Sequence, residues 1–115
     1  MSKFNLTNLK QAWEKGDAAT LAGFVADSFE QTEIDESTPP NAPRKRTRLE
    51  YLDMAERGLS SGAKMKVYNL VPGDERAAYS FTCHMPSGVK MVGNSIIEIK
   101  NGKIIKEVTV QAKEK

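Results

Sequence analysis

Five carboxylates crowd one short stretch of this chain: Asp27, Glu30, Glu33, Asp35 and Glu36. A carboxyl group that faces an apolar pocket has its pKa raised and can shuttle a proton between carbons. The commoner fate of an acidic run is to face water. Further along, Tyr79 and Ser95 fall on two strands joined by a turn at Pro86-Ser87-Gly88, and a three-residue turn sets them opposite each other. Two hydroxyls at a pocket can steady negative charge developing on an oxygen. A core tyrosine whose hydroxyl simply finds a partner explains the same pair. Trp13, Tyr51, Phe81 and Met91 suit an apolar pocket wall, and equally a plain core.

Other reactive side chains are sparse. His84, the lone histidine, falls on the outer sheet face near a strand end, without an orienting partner. It cannot be half of a His–His metal site. Cys83 is the only cysteine, so neither an intrachain disulfide nor a cysteine metal cluster can form. No metal and no cofactor is expected, and Cys83 reads as a buried, inert thiol. Arg44-Lys45-Arg46 with Arg48 is the one basic cluster. At a helix N-terminus it could hold a phosphate or an acidic ligand. It lacks interleaved aromatics, and it more simply offsets the acidic stretch just before it.

A chain of 115 residues is the size of one domain, here 1–115, with one core and at most a modest cavity. With 39% hydrophobic and 28% charged residues it is not a disordered composition. No apolar run approaches the roughly 18 residues of a membrane span, and Met1 to Lys10 lacks a signal-peptide core. The expectation is a reduced, cytoplasmic protein with no membrane partner. A formal charge of +2 does not imply a nucleic-acid partner.

The elements that must position these groups follow from periodicity. Leu6, Leu9, Ala12 and Trp13 fall at helical spacing, ended by Gly16. Asp17 sits at an N-cap, and Leu21, Phe24 and Val25 form the next stripe. Helices are predicted around 5 to 15 and 18 to 28. Phe29 to Asp35 reads as a short strand, and the three prolines between Pro39 and Pro43 make a loop. Thr47-Arg48-Leu49-Glu50 matches a capping box, opening a third helix near 48 to 60. After Gly62 the period becomes two. Four strands follow, the last pair joined by Asn101-Gly102, a strong hairpin signal. Helices first and hairpin strands after define an α+β domain, with helices on one face of an antiparallel sheet.

The turns also assign faces. Asn101-Gly102 puts Ile99 opposite Ile104 and Ser95 opposite Val108, and the earlier turn puts Phe81 opposite Gly93. The inner face then carries Tyr79, Phe81, Cys83, Met85, Met91, Gly93, Ser95, Ile97, Ile99, Ile104, Val108 and Val110. The outer face carries Ser80, Thr82, His84, Val92, Asn94, Ile96, Glu98, Ile105, Glu107, Thr109 and Gln111. One bulge would exchange these faces beyond it.

Trp13-Glu14-Lys15-Gly16-Asp17, followed by Leu21 to Asp27, resembles the opening of the nuclear-transport-factor-two-like superfamily. Gly93 to Ile104 resembles its closing strand, turn and Gly-Lys-Ile segment. The resemblance covers most of the chain. It implies a strongly curved sheet wrapped around helices (the cystatin-like cone), a pocket inside, and homodimers formed through the outer sheet face. In the ketosteroid-isomerase branch a general-base carboxylate lies on the strand after the second helix, a place that falls on Glu33. Ser95 takes the place of that branch's neutral carboxylic acid, and Leu9 that of its tyrosine. In the SnoaL-like cyclases an aspartate near the end of the last strand is the acid/base; here Thr109 and Gln111 stand nearest.

Two function classes fit. In the first, a small apolar organic ligand undergoes isomerase- or cyclase-type proton transfer, with Glu33 as base and Ser95 or Tyr79 steadying charge. In the second, the same scaffold is a non-catalytic, homodimeric module that binds a ligand or a protein.

Overall fold

Asn5 caps the first helix in the computed structural model, which describes residues 4–114, so that Met1 to Lys3 of the N-terminal stretch lie outside it. The Asn5 side chain accepts the Asn8 amide at 3.0 Å. Helix α1, Leu6–Lys15, buries Leu6, Leu9, Ala12 and Trp13. It ends at Gly16 in the left-handed conformation (φ 70°), where the missing Cβ removes the steric penalty. Asp17 then caps α2 through the Thr20 amide.

The helix expected over 18–28 is shorter: α2 is Ala18–Ala22. Its last carbonyls are taken by side chains from elsewhere. Arg48 Nη2 donates to Ala22 O at 3.1 Å, and Lys103 Nζ donates to Gly23 O at 2.6 Å. The Ile104 amide donates to Phe24 O. Phe24 and Val25 therefore lead out of the helix into strand β1, Val25–Ile34. This strand is longer than the short segment predicted from Phe29.

Arg44–Thr47, read from the sequence as a basic lead-in to a helix, forms strand β2. It pairs antiparallel with β1, setting Arg44 beside Glu33 and Arg46 beside Gln31. The Thr47–Glu50 capping box is present and starts α3, Arg48–Ser60. The four predicted strands follow: β3 Lys64–Val71, β4 Arg76–His84, β5 Lys90–Lys100 and β6 Lys103–Lys113.

The sheet has six strands in the order β2-β1-β6-β5-β4-β3. All ladders are antiparallel except β1–β6, which is parallel because β1 enters from the helical layer rather than from a hairpin. Helix α1 packs on β3 and α3 on β1, so the sheet curls around the helices from one edge toward the other. The core lies between them, with Leu21, Ile97 and Ile104 nearly inaccessible to solvent. No helix among the described residues is long and apolar enough to cross a membrane.

The β4–β5 register follows the turn geometry: Phe81 faces Gly93 and Tyr79 faces Ser95. A Cβ on Gly93 would meet Val110 O at 2.6 Å and Phe81 Cζ at 2.7 Å. Glycine is the residue that lets three strands close up at this bend. In β5–β6, Lys100 faces Lys103 and Ile99 faces Ile104 as predicted, but the register then slips. Glu98 pairs with Lys106, leaving Ile105 as an extra residue in a bulge. Ser95 therefore faces Thr109 rather than Val108, and Ile96 faces Val108. Beyond the bulge the two predicted faces of β6 are exchanged. Glu107 and Thr109 are buried inside, Gln111 turns inward, and Val108 and Val110 move to the outer face.

Candidate functional site

A cavity of about 190 Å³ opens between α1, α3 and the inner face of the sheet. Glu33, Tyr79, Ser95, Trp13, Tyr51, Phe81 and Met91 all contribute to its wall. Residues not foreseen from the sequence do so too, among them Gln31, Thr109, Gln111 and Glu107.

Glu107 is the centre of the polar end. Tyr51 donates to its Oε1 at 3.3 Å, while Tyr79, Ser95 and Thr109 approach Oε2 at 3.4, 3.1 and 3.0 Å. Ser95 and Thr109 also share a proton at 2.9 Å. Five oxygen–oxygen contacts thus compete for four hydroxyl protons when Glu107 is ionised. A proton on Glu107 supplies the fifth and lets the Glu107–Thr109–Ser95 ring close, each oxygen donating to the next. Burial acts in the same direction. It raises the Glu107 pKa above the ordinary carboxylate value, against the opposing effect of the four hydroxyls. Burial, followed by the neighbouring carboxyl, also pushes Tyr51 and Tyr79 well above the usual phenol value, so both remain donors.

The position of Tyr51 depends on its aromatic neighbours. Phe29 from β1 lies 4.7 Å away, and Trp13 from α1 meets it edge-on at 6.4 Å, at an interplanar angle of 89°. These contacts carry the phenol of α3 across the core to β6.

Glu33 points inward and is buried, but it is not a free carboxyl. Arg44 Nη1 donates to Oε2 at 2.6 Å and Arg46 Nη1 to Oε1 at 2.8 Å. Arg44 also lies 3.6 Å from Asp35. The basic cluster thus meets the acidic stretch directly, across β1 and β2. Arg46 further donates to Gln31 Oε1 at 2.9 Å, and Gln31 Nε2 donates to Thr109 Oγ1 at 3.2 Å. A hydrogen-bonded line therefore runs from the ion-paired sheet edge to Glu107.

The opposite end of the cavity is rich in sulfur. Met54, Met65, Met85 and Met91 line it, as does Cys83, whose thiol is half-buried rather than fully enclosed and is raised in pKa by that burial. Trp13 completes the apolar wall. Its indole Nε1–H is the one buried side-chain polar atom among the described residues without a hydrogen-bond partner. His84 is exposed at the end of β4, away from the cavity. No cluster of three or more His, Cys, Asp or Glu side chains suited to a metal occurs among the described residues.

No family model matches the chain, and no curated protein is similar to it in sequence. Solved structures are similar in fold. An NTF2-like protein of unknown function from Mesorhizobium loti superposes with a TM-score of 0.77 at 12% identity, over 96% of this chain and 88% of that one. A proposed ketosteroid isomerase from Kribbella flavida gives 0.73 at 16% identity, over 92% and 73% of the two chains. IdmH, a proposed polyketide cyclase from Streptomyces antibioticus, gives 0.68 at 19% identity, over 92% and 88%. The chain has the nuclear-transport-factor-two-like, cystatin-like fold that the sequence resemblance implied.

Proposed function

We propose that this protein binds a small organic molecule in the cavity and exchanges a proton with it through Glu107, with Tyr79 and Ser95 beside the reacting oxygen. The observation that carries this reading is a buried carboxyl on the cavity wall, ringed by four hydroxyls and raised above its ordinary pKa. Such a group lies nearer to balance between its acid and base forms at neutral pH, the condition for moving a proton from one carbon to another. Glu33, the base expected from the sequence, is neutralised by two arginines and is assigned to anchoring the line that ends at Glu107. The proposed activities of the Kribbella and Streptomyces proteins fall in the same chemistry.

The test is conversion of cyclohex-3-enone to cyclohex-2-enone, followed by proton NMR in deuterated buffer. The carboxylate takes a proton from the carbon between carbonyl and alkene, and the acid returns one to the far alkene carbon. Wild type is expected to exceed buffer, and Glu107→Gln to fall to the buffer rate while remaining folded. Equal rates in the two proteins would remove Glu107 from the chemistry. Ligand binding without turnover in either would leave the non-catalytic module as the reading.

We also propose pairing with a second copy through the outer sheet face. The bulge in β6 favours it, because it adds Val108 and Val110 to the Val92 and Ile96 already there. Ile96 and Val110 are each 50% exposed, and clustered exposed aliphatic side chains on one sheet face usually meet a partner.

A further inference from the structure

Building on the binding half of that reading, we infer that Gly58 of α3 sets which ligand the cavity takes: a neutral, single-ring molecule whose apolar tail crosses the helix where Gly58 has no side chain. Four observations converge on this. First, Gly58 is half-buried within α3 and lines the cavity. Glycine is a poor helix former, and it is normally kept for a left-handed turn or a close approach. Gly58 meets neither need. Its φ lies outside the left-handed region, and a Cβ built on it would meet no atom within 4 Å beyond its own helical turn. The fold has no packing use for the missing methyl, and the space belongs to the cavity.

Second, the helical period puts Gly58 on the same face of α3 as Tyr51, Met54 and Ala55, all of which line the cavity. A side chain at this position would project into the cavity. Third, the dimensions suit one ring and a short tail. Tyr51 reaches Glu107 at the polar end, and Gly58 lies two helical turns further along α3, an axial distance of about 10 Å. The cavity is about 190 Å³. A cavity of roughly 150 Å³ takes benzene, whereas sites for drug-sized molecules span about 300–1,000 Å³. Fourth, no Lys, Arg or His lines the cavity among the described residues, so an anion would find no counter-charge. The Glu33 charge is already met by Arg44 and Arg46, so no cation is called for either. Met54, one turn before Gly58, and Met65 line the same end, and thioethers adapt their shape to a ring or an alkyl chain.

Acetophenone and 4′-propylacetophenone share a carbonyl head and differ only in the tail, and they are the probes. The methyl groups of Met54, Met65, Met85 and Met91 report occupancy of the cavity in a proton–carbon spectrum. Wild type is expected to bind the propyl compound about tenfold tighter, through partial burial of its tail. Gly58→Ala should raise the thermal midpoint by about 3 °C, because alanine favours the helix and its methyl meets nothing. The same variant should cut the tail preference to about threefold or less. Gly58→Leu should abolish the preference while acetophenone still binds. A variant that is more stable yet binds the tail worse does not owe its loss to misfolding. Wild type without a tail preference would overturn the role of Gly58 and leave the binding reading intact, provided the methionine methyls move. So would a preference that Gly58→Ala leaves unchanged. A lower midpoint for Gly58→Ala would also overturn it, since the methyl would then be meeting the protein. If neither probe moves the methionine methyls of wild type, the inference and the binding reading both fall. The wild-type and Gly58→Ala measurements stand even if Gly58→Leu does not fold.

Discussion

Arg46 donates to Gln31 Oε1 at 2.9 Å, and that hydrogen bond fixes the direction of the Gln31 amide. A guanidinium can only donate, so the amide oxygen faces Arg46 and the NH2 faces Thr109. Thr109 accepts from Gln31 and must send its own proton to Glu107 or Ser95. An ion pair at the sheet edge thereby orients the amide that donates into the hydroxyl cluster around a carboxyl in the core.

Arg46 and Arg44 both pair with Glu33, but Arg46 is the more enclosed, with 17% of its side chain exposed against 43%. Removing Arg46 leaves two buried acceptors, Glu33 Oε1 and Gln31 Oε1, without their donor and leaves Glu33 only its more exposed partner. Arg46→Leu should therefore cost about 3 kcal/mol in urea unfolding, and Arg44→Leu about 1 kcal/mol or less. Equal losses would contradict this ranking.

Glu107 makes stability depend on pH with a definite sign. Its folded pKa lies above the ordinary 4.5, so the native state binds the proton more tightly than the unfolded chain does. The stability this confers is complete below the ordinary value and is lost as pH rises through the folded pKa. Glu107→Gln keeps the shape without the titration. Wild type should lose stability relative to Glu107→Gln in urea titrations as pH rises from the ordinary 4.5 through the folded pKa. A constant difference across that window would mean that Glu107 is ionised throughout.

Gly93→Ala should destabilise by about 1–3 kcal/mol, because the new methyl would overlap the Val110 carbonyl, which belongs to the β6 backbone and cannot rotate away. Thermal unfolding would measure it. An unchanged midpoint would show that β4 and β6 do not close over this residue.

Ile96→Lys tests the outer face. Sedimentation equilibrium of wild type is expected to give twice the 12.7 kDa chain mass, and the variant one chain mass with an unaltered far-ultraviolet spectrum. A wild-type monomer at all concentrations would dispose of the pairing.

The helix caps, the capping box, the four hairpin strands and the Tyr79–Ser95 pairing were legible because each rests on local chemistry: a cap acceptor, a two-residue period, a turn of fixed length. Glu107 was not. Its neighbours Val108 and Val110 alternate with it, and on pattern alone the apolar pair belongs inside. The bulge that turns them out leaves no mark in residue type, since Ile105 is as good a strand residue as any. One trace was available: an apolar outer pair and a polar inner trio, Glu107, Thr109 and Gln111, are what a strand lining a polar cavity end requires. Strand β1 was legible from Phe29 onward, but its start at Val25 was not, because Leu21, Phe24 and Val25 also fall at helical spacing. Strand β2 was hidden because four consecutive polar residues have no apolar face to show.

The extra residue at Ile105 has a bearing on inheritance. Which side chains of β6 look inward is decided by one residue of length, not by their identity. A single-codon deletion at that point would hand Glu107 and Thr109 to the solvent and return Val108 and Val110 to the interior, leaving every other codon as it was. Lineages of this fold can thus gain or lose a buried acid in one step, and two descendants with nearly the same letters in their last strand can differ in whether the cavity holds any chemistry at all.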